Sequence, residues 1–121
     1  MKSLKKIMLM GLLAVMLIPT ISGAASFSGN TYTNVFSVLS SPTTKNGSMT
    51  VFQVRATQKD WRPTMTFRAV DQYGIVAASG TVDYKDYQYE FKSSAVRGRN
   101  YTVEARREGT GDSYVEGYWG I

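Results

Sequence analysis

The chain predicts an all-β fold: an antiparallel two-sheet sandwich preceded by an N-terminal signal helix. Three observations predict it. After Ala25, several short segments alternate apolar and polar side chains, the period of half-buried strands. Clusters of Gly, Pro, Asn and Asp separate these segments at sandwich-like spacing. No segment after Ala25 carries a helical period.

Residues 1–25 read as a secretory signal peptide and residues 26–121 as one domain. Lys2, Lys5 and Lys6 precede an apolar run from Ile7 to Ile18, which Pro19 ends. A membrane span needs roughly 20 apolar residues, more than this run holds. Thr20-Ile21-Ser22-Gly23-Ala24-Ala25 supplies the small residues of a cleavage site, and cleavage after Ala24 or after Ala25 both fit. No Cys follows for lipid attachment, and the n-region lacks twin Arg, which favours general secretion. The C-terminal segment Gly117-Tyr118-Trp119-Gly120-Ile121 carries neither an apolar tail nor a basic stop. The expected location is therefore extracellular, released or held at the wall, with no stable membrane anchor after cleavage. The short Lys-rich start points to a Gram-positive bacterium.

The strands follow in order. Tyr32–Leu39 is expected to place Phe36 and Val38 inward, and Ser41 to Gly47 to form a loop. Thr50–Ala56 sets Phe52, Val54 and Ala56 against Gln53 and Arg55. A turn at Lys59-Asp60-Trp61-Arg62-Pro63 follows, since Pro opens a strand or sits on an edge. Thr64–Asp71 sets Met65, Phe67 and Ala69 against Thr66 and Arg68. Asp71-Gln72-Tyr73-Gly74 is a hairpin turn. Ile75–Tyr84 is expected to bend near Ser79-Gly80. Tyr87–Phe91 alternates Tyr87, Tyr89 and Phe91 with Gln88 and Glu90. Asn100–Arg106 alternates Tyr101, Val103 and Ala105 with charged and hydroxylated residues. Gly109-Thr110-Gly111-Asp112 leads to a last strand, Tyr114–Trp119.

Composition narrows the chemistry. The formal net charge is +5, but three of the fourteen basic residues lie in the signal, so the domain carries only +2. That balance argues against nucleic acid, which calls for a concentrated basic stripe. Cys and His are absent, so no thiol nucleophile, imidazole base or ordinary zinc site is available. No cofactor or metal is expected. Glu104 and Glu116, on the last two strands, are the pair that a glycosidase reading would use as cross-strand neighbours. Surface ion pairing explains them more simply. Asp83 and Asp86 suit a turn better than a calcium site.

All fifteen aromatic residues follow the signal, and eight are Tyr. Exposed Trp and Tyr offer rigid amphipathic contact surface. The candidate binding residues are Trp61, Arg62, Tyr84, Tyr87, Tyr118 and Trp119, with core packing as the competing role for Trp119.

Val96-Arg97-Gly98-Arg99-Asn100-Tyr101-Thr102-Val103-Glu104-Ala105 resembles the tyrosine corner of immunoglobulin-like and fibronectin-type sandwiches. The resemblance implies an immunoglobulin-like sandwich in which Tyr101 bonds to upstream backbone. The layout also resembles small secreted Gram-positive proteins ending in a Gly-Tyr-Trp segment, a group largely without assigned function. In plan it is similar to β-sandwich bacteriocins of the lactococcin type. The function expected is a secreted non-enzymatic binding protein, with an unknown protein or cell-wall polysaccharide as partner. A bacteriocin-like toxin and an extracellular enzyme inhibitor presenting Lys59–Pro63 are the alternatives.

Overall fold

The computed structural model describes residues 24–59 and 64–121; most of the expected signal and residues 60–63 of the expected turn lie outside the described residues. The described chain forms β1 (Ala25–Tyr32), β2 (Ser37–Val38), β3 (Thr43–Thr44), β4 (Val51–Lys59), β5 (Met65–Asp71), β6 (Val76–Val82), β7 (Tyr89–Lys92), β8 (Asn100–Arg107) and β9 (Asp112–Gly120). Sheet A runs β1-β9-β4-β7 and sheet B runs β2-β8-β5-β6, with β3 also on β8. All these pairings are antiparallel. The all-β expectation holds, and the two sheets pack as a sandwich.

The period-two pattern explains the core. Phe52, Val54 and Ala56 of β4, Met65, Phe67 and Ala69 of β5, and Tyr101, Val103 and Ala105 of β8 are all buried. Between the sheets, Phe27 and Phe67 meet edge to face at 5.3 Å. Within sheet A, Phe52 and Trp119 do so at 6.3 Å. Both separations suit the aromatic quadrupole. With no Cys in the chain, burial has to hold the domain together, and each fully buried large apolar side chain contributes about 1.5–3 kcal/mol.

Four expectations are corrected. Ala25–Tyr32, which begins at the expected signal end and carries no expected strand before Tyr32, is a full strand paired with β9 from Ala25↔Trp119 to Tyr32↔Asp112. Its small polar residues masked the strand; only Phe27 and Thr31 of it are buried. Tyr32–Leu39 is not one strand. Asn34 takes a left-handed conformation (φ 63°) and Tyr32 bridges Val35, so the chain reverses there. The turn resets the parity, which sends Leu39 into the core and leaves Val38 62% exposed. Phe36 lies instead beneath the Arg68 guanidinium, at 3.7 Å from ring centre to Cζ.

The third correction concerns Ser79-Gly80. β6 runs through it unbroken, and its register shift lies opposite Ala69/Val70. Gly80 is small for a packing reason: a Cβ there would overlap the Phe91 ring from the opposite sheet. The fourth concerns β7, which starts at Tyr89 and not at Tyr87. The Tyr89 hydroxyl accepts the N–H groups of Asp83 and Tyr84, which ties the β6–β7 connection back onto the strand.

Turn chemistry holds the far end. Asp71 Oδ1 accepts the N–H groups of Tyr73 and Ile75, each at 2.8 Å, and its Oδ2 meets Arg99 Nη1 at 3.3 Å. Burial alone would raise the Asp71 pKa. The two backbone donors and Arg99 outweigh it and hold the carboxyl below its usual range. Nearby, Tyr101 Oη accepts the Val96 N–H at 2.7 Å, five residues upstream, as the tyrosine-corner resemblance implies.

Two outcomes are expected. Tyr101→Phe removes only that hydroxyl, so it costs about 1 kcal/mol and lowers Tm by roughly 4–8 °C in thermal melts. Because the folded-state pKa of Asp71 is depressed, its ionisation stabilises the fold above the unfolded value of about 4. That contribution disappears as pH falls through the lower folded value. Asp71→Asn therefore lowers the urea midpoint at neutral pH, and the gap to wild type closes in acid. A gap independent of pH contradicts this account.

Candidate functional site

Strand β9 builds the site by alternation. Ser113, Val115, Gly117 and Trp119 are buried, while Tyr114, Glu116 and Tyr118 point the other way, onto the outer face of sheet A. Register then decides their neighbours. Tyr118 lies between Ser26 of β1 and Arg55 of β4. Glu116 lies between Ser28 and Gln58, and Tyr114 is paired with Asn30. Short hydroxyl side chains on β1 leave β9 uncovered. The result is a shallow groove of about 300 Å³ lined by Ser26, Ser28, Thr57, Glu116, Gly117 and Tyr118.

Gly117 is required here. A Cβ on it would collide with the Arg55 carbonyl oxygen, so β4 and β9 lie this close only with glycine at 117. Tyr118 is 50% exposed, an open ring surface on a rigid central strand. Glu116 Oε2 accepts the Tyr114 hydroxyl at 2.9 Å. That bond, then partial burial, then the negative charge of Glu116, raise the Tyr114 pKa above that of an ordinary tyrosine. The groove thus combines an apolar ring, one carboxylate acceptor and hydroxyls that both donate and accept.

The expected site residues fall in different places. Tyr84 and Tyr87 are 71% and 64% exposed and share the β6–β7 connection, where Tyr87 packs on Tyr89 at 5.5 Å. Trp61 and Arg62 lie outside the described residues. The residues flanking that stretch reach the same connection. Lys59 Nζ donates to the Asp83 carbonyl at 3.0 Å, and Thr64 Oγ1 donates to Asp83 Oδ1 at 2.8 Å. Tyr118 stands on the outer face of sheet A. Trp119, one residue on, is fully buried, which corrects its expected role as exposed contact surface.

Glu104 and Glu116 are also corrected: β8 and β9 belong to different sheets, so the two are not cross-strand neighbours. Glu104 instead pairs with Arg68 at 2.6 Å. Asp83 is engaged by Thr64, and Asp86 occupies a left-handed turn position (φ 60°). Among the described residues, no cluster of three or more Asp or Glu is placed to hold a metal ion.

Sequence reasoning missed Ser26, Ser28 and Thr57 as groove residues and weighed Glu116 only as a surface charge or a partner of Glu104. The alternation of Ser26, Ser28 and Asn30 around Phe27 and Thr31 was the available signal. Even read as a strand, it names no partner. Comparison of the chain with protein-family models, curated proteins and solved structures yields no match.

The Tyr114–Glu116 contact makes a specific titration prediction. Glu116→Gln removes the charge and weakens the acceptor, so the Tyr114 ring should titrate at lower pH than in wild type, followed by NMR. An unchanged midpoint would show that Glu116 does not set it.

Proposed function

We propose that this is a secreted, non-enzymatic binding protein of a Gram-positive bacterium whose outer sheet A face holds a cell-wall polysaccharide. The observation that carries the reading is the half-exposed Tyr118 ring beside Glu116 and the Ser26, Ser28 and Thr57 hydroxyls. A sugar ring has an apolar C–H face and a rim of hydroxyls. The tyrosine ring suits the first, and a carboxylate with flanking hydroxyls suits the second. Residues 114 to 118 extend along one strand for about 13 Å, which favours a chain over a single sugar.

The N-terminal apolar run with its small-residue cleavage site supports secretion. The absence of His and Cys from the chain supports binding over nucleophilic chemistry. We read the sandwich as immunoglobulin-like on the β4–β7 and β5–β8 pairings and the Tyr101 corner. Its last strand departs from that order by lying between β1 and β4.

Sedimentation with insoluble wall polysaccharide tests the function. The wild-type protein is expected in the pellet. Tyr118→Ala should weaken retention about tenfold, equivalent to about 1.4 kcal/mol, while leaving the thermal melt nearly unchanged. Glu116→Gln should weaken it less. Equal retention of wild type and Tyr118→Ala removes this face as the site.

A further inference from the structure

Arg55 stands beside the groove and takes no part in the contacts described above. Its neighbours on β4, Val54 and Ala56, are buried in the core, so alternation turns Arg55 onto the outer face of sheet A, where it is half-buried. Register sets it directly opposite Tyr118, whose other neighbour is Ser26 of β1. Residues opposed in this way have Cβ atoms about 4.5–5.5 Å apart. Arg55, Tyr118 and Ser26 therefore form one row across three strands, with the half-exposed Tyr118 ring at its centre.

The charge of Arg55 is unanswered, which sets it apart from the other strand arginines. Arg68, Arg99 and Arg106 pair with Glu104, Asp71 and Glu108, and Arg107 donates to the Thr110 and Asp112 carbonyls. Arg97 is exposed in the turn before β8, open to water. Arg55 is half-buried on an interior strand of its sheet, yet among the described residues no hydrogen bond or ion pair engages its guanidinium. The acids of the same face are held by neutral donors instead. Glu90 accepts from Gln53 Nε2 at 3.1 Å, and Glu116 accepts the Tyr114 hydroxyl at 2.9 Å. Glu116 lies opposite Gln58, beyond the register shift at Ala56/Gln58, so it is not the cross-strand neighbour of Arg55. Lys92, exposed at the end of β7, adds a second cation to the face. A partly desolvated guanidinium with its donors unfilled is costly, and its planar fork matches an oxyanion.

We propose that Arg55 makes the sheet A face selective for acidic sugars, holding the carboxylate of a uronic acid unit whose ring lies on Tyr118. Because Arg55 and Tyr118 are directly opposed, ring contact and charge recognition fall on the same sugar unit. Glu116 lies two positions back along β9, about 7 Å away, and meets hydroxyls of the next unit. Its negative charge keeps the ligand carboxylate at the Arg55 end, which gives the bound chain a direction. The inference rests on the polysaccharide reading and deepens it from a sugar chain to an acidic one.

Calorimetric titration of the purified chain with trigalacturonate and with its methyl ester tests this. The ester keeps the rings and hydroxyls and removes the charge. The wild-type protein should bind the acid at least tenfold more tightly than the ester, with a difference that shrinks as salt is added. Arg55→Gln should abolish the difference and leave the thermal melt nearly unchanged. Arg55→Lys keeps the charge without the fork and should fall between the two. Tyr118→Ala should weaken acid and ester alike. Equal binding of acid and ester by the wild type, or a preference that survives Arg55→Gln, overturns the role of Arg55. Binding of neither probe by a protein that still pellets with wall polysaccharide also overturns it and leaves the sheet-face reading standing. An acid preference that depends on Arg55 but not on Tyr118 overturns the placement of the ring and, with it, the sheet-face reading. Binding confined to an oligomer of glycerol phosphate overturns the carboxylate assignment in favour of a phosphodiester.

Discussion

Strand β9 is the constraint on which the rest depends. It lies between β1 and β4, so sheet A exists only when residues 112–120 reach a position between segments that precede them by more than fifty residues. Such non-local pairing requires loop closure before any contact stabilises the chain. No shorter N-terminal piece carries a complete sheet A. Sheet A is therefore completed only when the last strand is in place.

That position has a second consequence. One strand serves both the interior and the candidate surface on sheet A. Its inward residues Val115 and Trp119 anchor the core, Gly117 allows β4 to approach, and Tyr114, Glu116 and Tyr118 form the outer face. The buried half keeps the exposed half rigid. Tyr118 is therefore held ready for contact, with little ordering cost on binding. The Trp119 ring packs on Phe52 in the core.

Both sheets also have edges to protect. Ser28 N–H donates to the Leu39 carbonyl on the open side of β1, and Ser94 N–H donates to the Ala77 carbonyl on the open side of β6. These bonds tie edge strands to crossing segments, which limits pairing with other chains. On sheet B the outer face is largely self-satisfied: Arg68 and Arg106 flank Phe36, and Glu104 neutralises Arg68. On the outer face of sheet A, Gln53 pairs with Glu90 and Tyr114 with Glu116, while Tyr118 stays half exposed, and the candidate surface lies there.

Local pattern alone determined much of this protein. The strands with strict alternation, β4, β5 and β8, carried their own inward residues, because period two sets the face of every side chain without reference to a partner. The Asp71 turn was legible for the same reason: its bonds close within four residues. Tertiary structure decided what pairs with what. It placed β9 beside β1 and not β8, separated Glu104 from Glu116, turned Trp119 inward, and brought Ser26 and Ser28 alongside Tyr118 and Glu116. Those outcomes depend on contacts between residues far apart in the chain, and a sequence read segment by segment holds no record of which distant strand will supply the neighbour.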